Sequence, residues 1–204
     1  MKFTDIAAVA KRSKTAIIMN DNEGGQWLSN GAAAYRLVDM PLLNEDTVLA
    51  VMGVIGTSKE RWYVNQQQEE SEMLLDRVEN ETEITGVDAG LSVVYDKRIL
   101  TPFHTQDGIL WVDGAFMQPI VKMNSEYKRF YIRDMGGDRR AIAVKDGMIL
   151  MALIVEYRMT SEEFAIGLEN LSAGARRELA RVKNIETKST EGESVFLRGW
   201  DELE

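Results

Sequence analysis

An unbroken apolar run, Met148–Val155, reads MILMALIV. Strands with one face in water alternate polar and apolar residues, whereas a run without any polar residue suits a strand that is covered on both faces. The run also has the length of an ordinary strand and is short for a buried helix. We therefore expect a central strand here, with a layer of helices on at least one face of its sheet.

Dipeptides of Asn or Asp followed by Gly predict tight turns around that strand. Both positions tolerate the positive φ angles of a type I′ turn, which joins neighbouring antiparallel strands. Four such dipeptides occur: Asn30-Gly31, Asp107-Gly108, Asp113-Gly114 and Asp146-Gly147. The predicted fold class is therefore α+β, with an antiparallel sheet of six or more strands built from hairpins.

Three segments have the apolar spacing of amphipathic helices. The first is Thr4–Lys14, and the second follows Asn44, which can cap it. The third follows Thr160, which forms a capping-box pattern with Glu163. The polar-centred region 57–90 predicts one further helix or two short ones. We expect three to four helices packed on the sheet.

Acidic residues are concentrated in two segments of the chain, which has 204 residues and a net charge of −9. Residues 67–90 hold eight acids and one base, and residues 185–204 hold six acids and two bases, so the remainder carries +2. We expect one compact domain over 1–184, with a polar insert near 65–72, followed by an acidic tail over 185–204. No internal repeat is visible in the sequence.

Composition excludes several kinds of chemistry. Cysteine is absent and His104 is the one histidine, which rules out disulfides, cysteine nucleophiles and multi-histidine metal sites. The sequence has no apolar run long enough to span a membrane and no secretory signal, so we expect a cytoplasmic protein without membrane contact. The common phosphate-loop, dinucleotide-binding, zinc-protease and nucleophile-elbow motifs are missing as well. These absences favour a protein that is not an enzyme and needs no cofactor.

Two features keep an enzymatic alternative open. His104 is a candidate general base because histidine titrates near neutral pH, although a histidine without a partner motif is more often structural. Asp134 and Asp138 stand four residues apart on a Gly-rich loop that continues into Arg139 and Arg140. Carboxylates of this kind suit Mg²⁺ and the arginines suit a phosphate, which would make a small metal-dependent phosphoester hydrolase. A solvated hairpin loop has the same composition.

Basic residues cluster at the C-terminal ends of the first and last predicted helices. The clusters are Lys11, Arg12 and Lys14, and then Arg176, Arg177, Arg181 and Lys183. Bases at this end of a helix complement its dipole, which is a purely structural reason for the pattern. The functional hypothesis is that both clusters contact the phosphates of a DNA backbone.

Aromatic side chains in the acidic tail suggest a docking segment for a protein partner. Phe196 and Trp200 are four residues apart, so on a helix they share one face among carboxylates. Packing of the same two side chains on the protein's own surface is the alternative.

The order of the predicted elements resembles one domain of a DNA sliding clamp. The matching features are the basic helix end Lys11-Arg12-Ser13-Lys14, the hairpin over 26–37, and a sheet that closes with Met148–Tyr157. Clamps are also acidic overall, with basic helices lining a ring and antiparallel sheets outside it. The long helix after Ser161 and the polar insert depart from this pattern. The resemblance implies a ring-forming processivity factor with no chemistry of its own.

The first functional hypothesis is therefore a non-enzymatic intracellular binding or assembly protein, a homo-oligomer that acts as a clamp-like accessory in DNA metabolism. The hydrolase that uses Asp134 and Asp138 is the second. A self-assembling structural protein, such as a virion or shell component, is the third.

Overall fold

The computed structural model describes residues 1–21, 24–67, 83–106, 108–158 and 161–198, apart from the side chains of 172 and 182–198. The chain divides into two compact units, Met1–Arg158 and Met159–Glu204. The predicted domain boundary at residue 184 stays a prediction.

The first unit combines helices with two sheets. Its described elements are, in chain order, α1 (Phe3–Ser13), β1 (Thr15–Asn20), β2 (Gln26–Ser29), β3 (Ala33–Leu37), α2 (Glu45–Val51), a 3-10 helix (Gly56–Arg61), β4 (Tyr63–Gln67), β5 (Ile84–Thr85), β6 (Val87–Asp88), β7 (Val93–Tyr95), β8 (Arg98–Thr105), β9 (Gly108–Asp113), α3 (Gly114–Val121), β10 (Lys128–Asp134), β11 (Arg140–Asp146) and β12 (Ile149–Val155). In the described residues, the larger sheet has the strand order β4-β1-β2-β3-β12-β11-β10-β5. The smaller sheet has β8 paired with β6, β7 and β9. The predicted α+β class with a large, mostly antiparallel sheet is confirmed.

Strand β12 lies in the middle of the larger sheet, between β3 and β11. Its residues from Leu150 to Ile154 are all buried. Ala152 and Ile154 belong to the core that also contains helix residues, whereas Leu150 and Leu153 belong to a second buried cluster. The expectation of a central strand covered on both faces is confirmed, because β12 contributes buried side chains to both clusters.

The larger sheet contains a structural repeat that the sequence does not reveal. Helix α1 is followed by the antiparallel strands β1, β2 and β3, and helix α3 is followed in the same way by β10, β11 and β12. The last strands of the two repeats pair antiparallel, with Tyr35 opposite Ala152 and Ala33 opposite Ile154. The two helices also contact each other. The repeats are therefore related by an approximate twofold axis that passes between β3 and β12.

Two of the predicted Gly turns join strands as expected. Asn30 Oδ1 accepts hydrogen bonds from the Ala32 and Ala33 amides in the turn between β2 and β3. Gly147, with φ of 60°, lies in the turn between β11 and β12. Asp107 lies outside the described residues, and its neighbours Thr105 and Gly108 pair where β8 meets β9.

The prediction of a hairpin turn at Asp113-Gly114 is wrong. Asp113 instead caps α3, because its Oδ1 accepts a hydrogen bond from the Ala115 amide at 2.9 Å. An Asp before the first residues of a helix serves as an N-cap, and the same dipeptide therefore fits a turn or a helix start. Sequence analysis overlooked α3, whose interior holds Pro119, a residue that disfavours helix interiors.

The helix prediction for 57–90 agrees with the structure only at its start, and the other described residues of the region form strands. Residues Gly56–Arg61 form a 3-10 helix, and Tyr63–Gln67 form β4, which pairs in parallel with β1 at the sheet edge. A strand at a sheet edge tolerates polar side chains. Asn65–Gln67 therefore form a strand without the apolar alternation that predicts one from sequence. The remainder of the predicted polar insert, residues 68–72, lies outside the described residues.

The second unit contains α4 (Glu162–Arg198), a helix of 37 residues that continues through Gly174. None of the described helices has an apolar stretch of the length needed to cross a lipid bilayer.

Candidate nucleic-acid interface

Helices α1 and α3 lie side by side on one face of the larger sheet. On α1 the apolar residues Ile6 and Ala10 are buried, and on α3 Met117 and Ile120 are buried. Burial of these side chains turns the other face of each helix towards solvent. The two helices therefore present a continuous outer surface, which we call the paired-helix surface.

Cations dominate the paired-helix surface. Lys2, Lys11, Arg12 and Lys14 are exposed on α1 or at its ends, and Lys122 is exposed at the C-cap of α3. The sequences of α1 and α3 contain a single acid, Asp5. The flanking acid Asp113 at the N-cap of α3 is buried and paired with Arg98, so the five cations and Asp5 leave this surface positive within a chain of net charge −9.

One ion pair connects the two helices. Lys122 Nζ lies 2.6 Å from Asp5 Oδ1, so the C-terminal end of α3 is bonded to the first turn of α1. The Lys122 side chain remains 55% exposed. Neither Lys2 nor Lys122 belongs to the two basic clusters predicted from the sequence, because Lys2 precedes the helix and Lys122 follows a helix that was not predicted.

The end of α1 positions Lys14 by backbone geometry. Lys14 has a left-handed backbone, with φ of 54°, and its amide donates a hydrogen bond to the Ala10 carbonyl. This cap ends the helix one residue earlier than predicted. The helix also begins at Phe3, one residue before the predicted start at Thr4, and its N-cap Lys2 makes no side-chain hydrogen bond.

The second basic cluster belongs to α4 in the second unit. Arg176, Arg177 and Arg181 are exposed there, and Arg181 Nη1 lies 3.4 Å from Glu178 Oε2 on the same helix. The side chains of Lys183 and Phe196, and the whole of Trp200, lie outside the described residues. The predicted roles of these residues stay predictions.

The loop with the candidate magnesium ligands joins β10 to β11. Asp134 Oδ1 accepts a hydrogen bond from the Gly136 amide at 2.7 Å, and Asp138 has a positive φ of 58°. The guanidinium of Arg158 donates to the Asp138 carbonyl. These bonds make a closed hairpin loop. No group of three acidic or histidine side chains suited to a metal ion occurs among the described residues.

His104, the candidate general base, is exposed on β8. It stands opposite Ile109 of β9 on one side and Val87 of β6 on the other. Both neighbours are apolar side chains, and neither can orient an imidazole by hydrogen bonding.

A cavity of about 650 Å³ adjoins the C-terminal end of α1. Arg12, the turn between β7 and β8, strand β8 and the start of α3 line it. At its base, Asp113 caps α3 through Oδ1, while its Oδ2 lies 3.2 Å from Arg98 Nη1. The Arg98 guanidinium also lies 5.4 Å from the ring centre of Tyr157. Arg98 is therefore held in place on two sides.

The buried Tyr35 lies under this region. Its hydroxyl donates a hydrogen bond to the Phe116 carbonyl of α3 at 2.7 Å, which ties α3 to β3. Burial raises the pKa of Tyr35 far above its ordinary value, and the negative charge of Asp113 raises it further.

No protein-family model, curated protein or solved structure matches this chain at a significant level.

Proposed function

We propose that this chain is a non-enzymatic binding protein that contacts the phosphate backbone of DNA through the paired-helix surface, as a clamp-like accessory in DNA metabolism. The observation that carries the proposal is the concentration of Lys2, Lys11, Arg12, Lys14 and Lys122 on two adjacent helices with one acid between them. The proposal includes a cytoplasmic location.

The physical basis is the release of counterions. Each lysine or arginine that neutralises a phosphate frees a condensed cation, so affinity falls as salt rises. Four of the five cations are outside the Lys122–Asp5 pair, which predicts a log–log salt slope between about −3 and −4 on duplex DNA. A surface of this kind binds without sequence preference, since phosphates carry no sequence information.

The experiment measures fluorescence anisotropy of a labelled duplex at several salt concentrations. The variant combines Lys11→Gln with Lys14→Asn, because asparagine accepts the left-handed backbone at residue 14. We expect weaker binding and a salt slope smaller by about 2. Arg129→Gln on β10 is the matched control, because Arg129 is exposed and lies on the sheet face opposite the core that contains α1 and α3. This change should leave both quantities unchanged.

Absence of duplex binding by the unaltered chain at low salt would overturn the proposal. Binding that is equally strong in the double variant would remove the paired-helix surface from it. An assembly whose size is the same with and without DNA, at every salt concentration, would favour the alternative of a self-assembling structural protein.

We also propose that the chain self-associates through α4. Phe164, Leu168, Leu171 and Leu179 recur at helical spacing along one face, yet Leu171 is 69% exposed and Leu179 is 57% exposed. A second copy of α4 suits this face because the charges are complementary in an antiparallel pair. Along α4 the acids Glu162, Glu163 and Glu169 precede Arg176, Arg177 and Arg181, and Glu178 stands among these arginines.

Light scattering tests this pairing. Leu171→Glu places a charge on the apolar face and should shift the assembly towards the monomer. Ile166→Glu is the matched control, since Ile166 is 51% exposed and lies on the opposite side of the helix. An unaltered chain that is monomeric at high concentration, or equal effects of the two variants, would overturn the proposal.

A further inference from the structure

We propose that the cavity beside α1 binds a small organic molecule that carries a phosphate group, of the size of a nucleoside monophosphate. The cavity volume of about 650 Å³ falls within the range of small-molecule sites in proteins. The cavity shares Arg12 with the paired-helix surface, and the residue chosen to test the inference, Lys97, lies outside that surface.

Two uncompensated cations point to a phosphate. Arg12 and Lys97 line the cavity from two separate elements, the end of α1 and the turn between β7 and β8, and neither has an ion pair in the described part of the chain. Arg98 is already paired with Asp113. A phosphate monoester carries nearly two negative charges and several acceptor oxygens, so it can satisfy one guanidinium and one ammonium together.

The acids that line the cavity already form hydrogen bonds or ion pairs within the protein. Asp113 caps α3 and pairs with Arg98, and Asp88 Oδ1 accepts a hydrogen bond from the Gly90 amide at 2.9 Å. Asp88 keeps further acceptor capacity, which favours a ligand that has hydroxyl or amino donors besides its phosphate.

An apolar wall accounts for the organic part of the ligand. Ile99 and Val121 line the cavity and are 57% and 66% exposed, respectively, with the buried Met117 between α3 and the sheet. An apolar or aromatic group laid on this wall removes these side chains from water. Ser92, Thr101 and Gln118 add polar groups that can orient such a group.

The test measures binding of adenosine 5′-monophosphate by calorimetry and by the NMR shifts of the Met117 methyl group. We expect saturable binding that weakens about tenfold in Lys97→Gln, because one of the two cations that would bind the phosphate is lost. Arg129→Gln removes an exposed cation that does not line the cavity and should leave the affinity unchanged. Thermal unfolding of both variants confirms that they are folded.

Further probes separate the sources of the phosphate. If adenosine monophosphate binds more tightly than a 5′-phosphorylated single-stranded oligonucleotide, the ligand is a free small molecule. If the oligonucleotide binds more tightly, the ligand is the phosphorylated end of a strand. Inorganic phosphate that binds as tightly as the nucleotide would overturn the role of the apolar wall. Absence of saturable binding, or equal affinity in Lys97→Gln, would overturn the site. Neither result bears on duplex binding by Lys11 and Lys14, which separates the two proposals.

Discussion

Arg133 donates hydrogen bonds from Nε and Nη2 to Glu83 Oε1, at 2.8 and 2.6 Å. The arginine side chain is fully buried and the carboxylate is 6% exposed. Lys145 Nζ bonds the other carboxylate oxygen at 2.5 Å and lies 4.7 Å from the ring centre of Tyr131. This ionic cluster attaches the residue before β5 to β10 and β11, on the sheet face opposite Ile132.

Loss of the Glu83 charge should be strongly destabilising. Glu83→Gln removes the charge of the carboxylate that the buried Arg133 and Lys145 share, and the free energy of unfolding should fall by about 3–5 kcal/mol. Urea denaturation measures the change. Glu178→Gln is the control, because its pair with Arg181 is about 70% exposed, and it should change stability by less than about 1 kcal/mol. Similar values for the two variants would contradict the prediction.

A methyl group at Gly114 should disturb the start of α3. An added Cβ would lie 3.0 Å from the Ile99 carbonyl oxygen and 3.3 Å from Thr101 Oγ1. We expect Gly114→Ala to cost about 1–3 kcal/mol in the free energy of unfolding, although alanine favours helices. Gly174→Ala in α4 meets no atom within 4 Å and should be neutral or stabilising. If Gly114→Ala leaves the temperature of thermal unfolding unchanged, β8 must shift to make room for the added Cβ, and the prediction is contradicted.

Tyr35 should make stability fall at alkaline pH. Its pKa is raised by burial and by Asp113, from an unfolded value of 10.0. Above that value the unfolded chain loses a proton that the folded chain keeps, so the contribution of Tyr35 is complete below pH 10 and declines as the pH rises further. In Tyr35→Phe the free energy of unfolding should lack this part of its decline above pH 10. At neutral pH the variant should be less stable by about 1 kcal/mol, because the hydrogen bond to the Phe116 carbonyl is lost.

Denaturation at neutral and alkaline pH, with phenolate absorbance recorded in parallel, checks this prediction. Of the six tyrosines, Tyr35 should ionise only when the protein unfolds. Equal pH dependence of the unaltered chain and of Tyr35→Phe would contradict it.

Removal of the one acid on the paired-helix surface should strengthen DNA binding. Asp5→Asn releases Lys122 from its ion pair and adds one net positive charge. We expect tighter duplex binding and a salt slope steeper by about 1, measured by anisotropy. The free energy of unfolding should fall by about 1 kcal/mol or less, because the ion pair with the exposed Lys122 is weak. Part of this loss comes from the favourable interaction of Asp5 with the dipole of α1. An unchanged or weaker affinity would place the DNA contact elsewhere.

Much of the secondary structure could be predicted from local patterns. The apolar run of β12, the Asn30 turn and the Asn44 cap each depend on chemistry within a few residues, and the structure contains all three. Helix α3 and strand β4 could not be predicted in the same way. The first contains a proline in its interior and the second is polar, so contacts distant in sequence decide both.

The candidate sites also differ in how far apart their residues lie in the sequence. The basic residues Lys11, Arg12 and Lys14 were found because they are adjacent in sequence. The cavity was missed, since Arg12, Lys97 and Asp113 come from three distant segments. Titratable groups converge in this way only after β8 and α3 have packed together.

The sequence by itself determined the α+β class, the turns at Asn30-Gly31 and Asp146-Gly147 and the excess of acid, because turn preference, apolar periodicity and charge are local or additive properties. Only the tertiary structure decided that two helix-and-three-strand repeats share one sheet, that Arg133 is buried on Glu83, and that Lys122 joins α1 to α3. These relationships depend on which strands pair. Strand pairing is set by long-range burial, where a residue such as Ala152 finds its partner Tyr35 more than a hundred positions away.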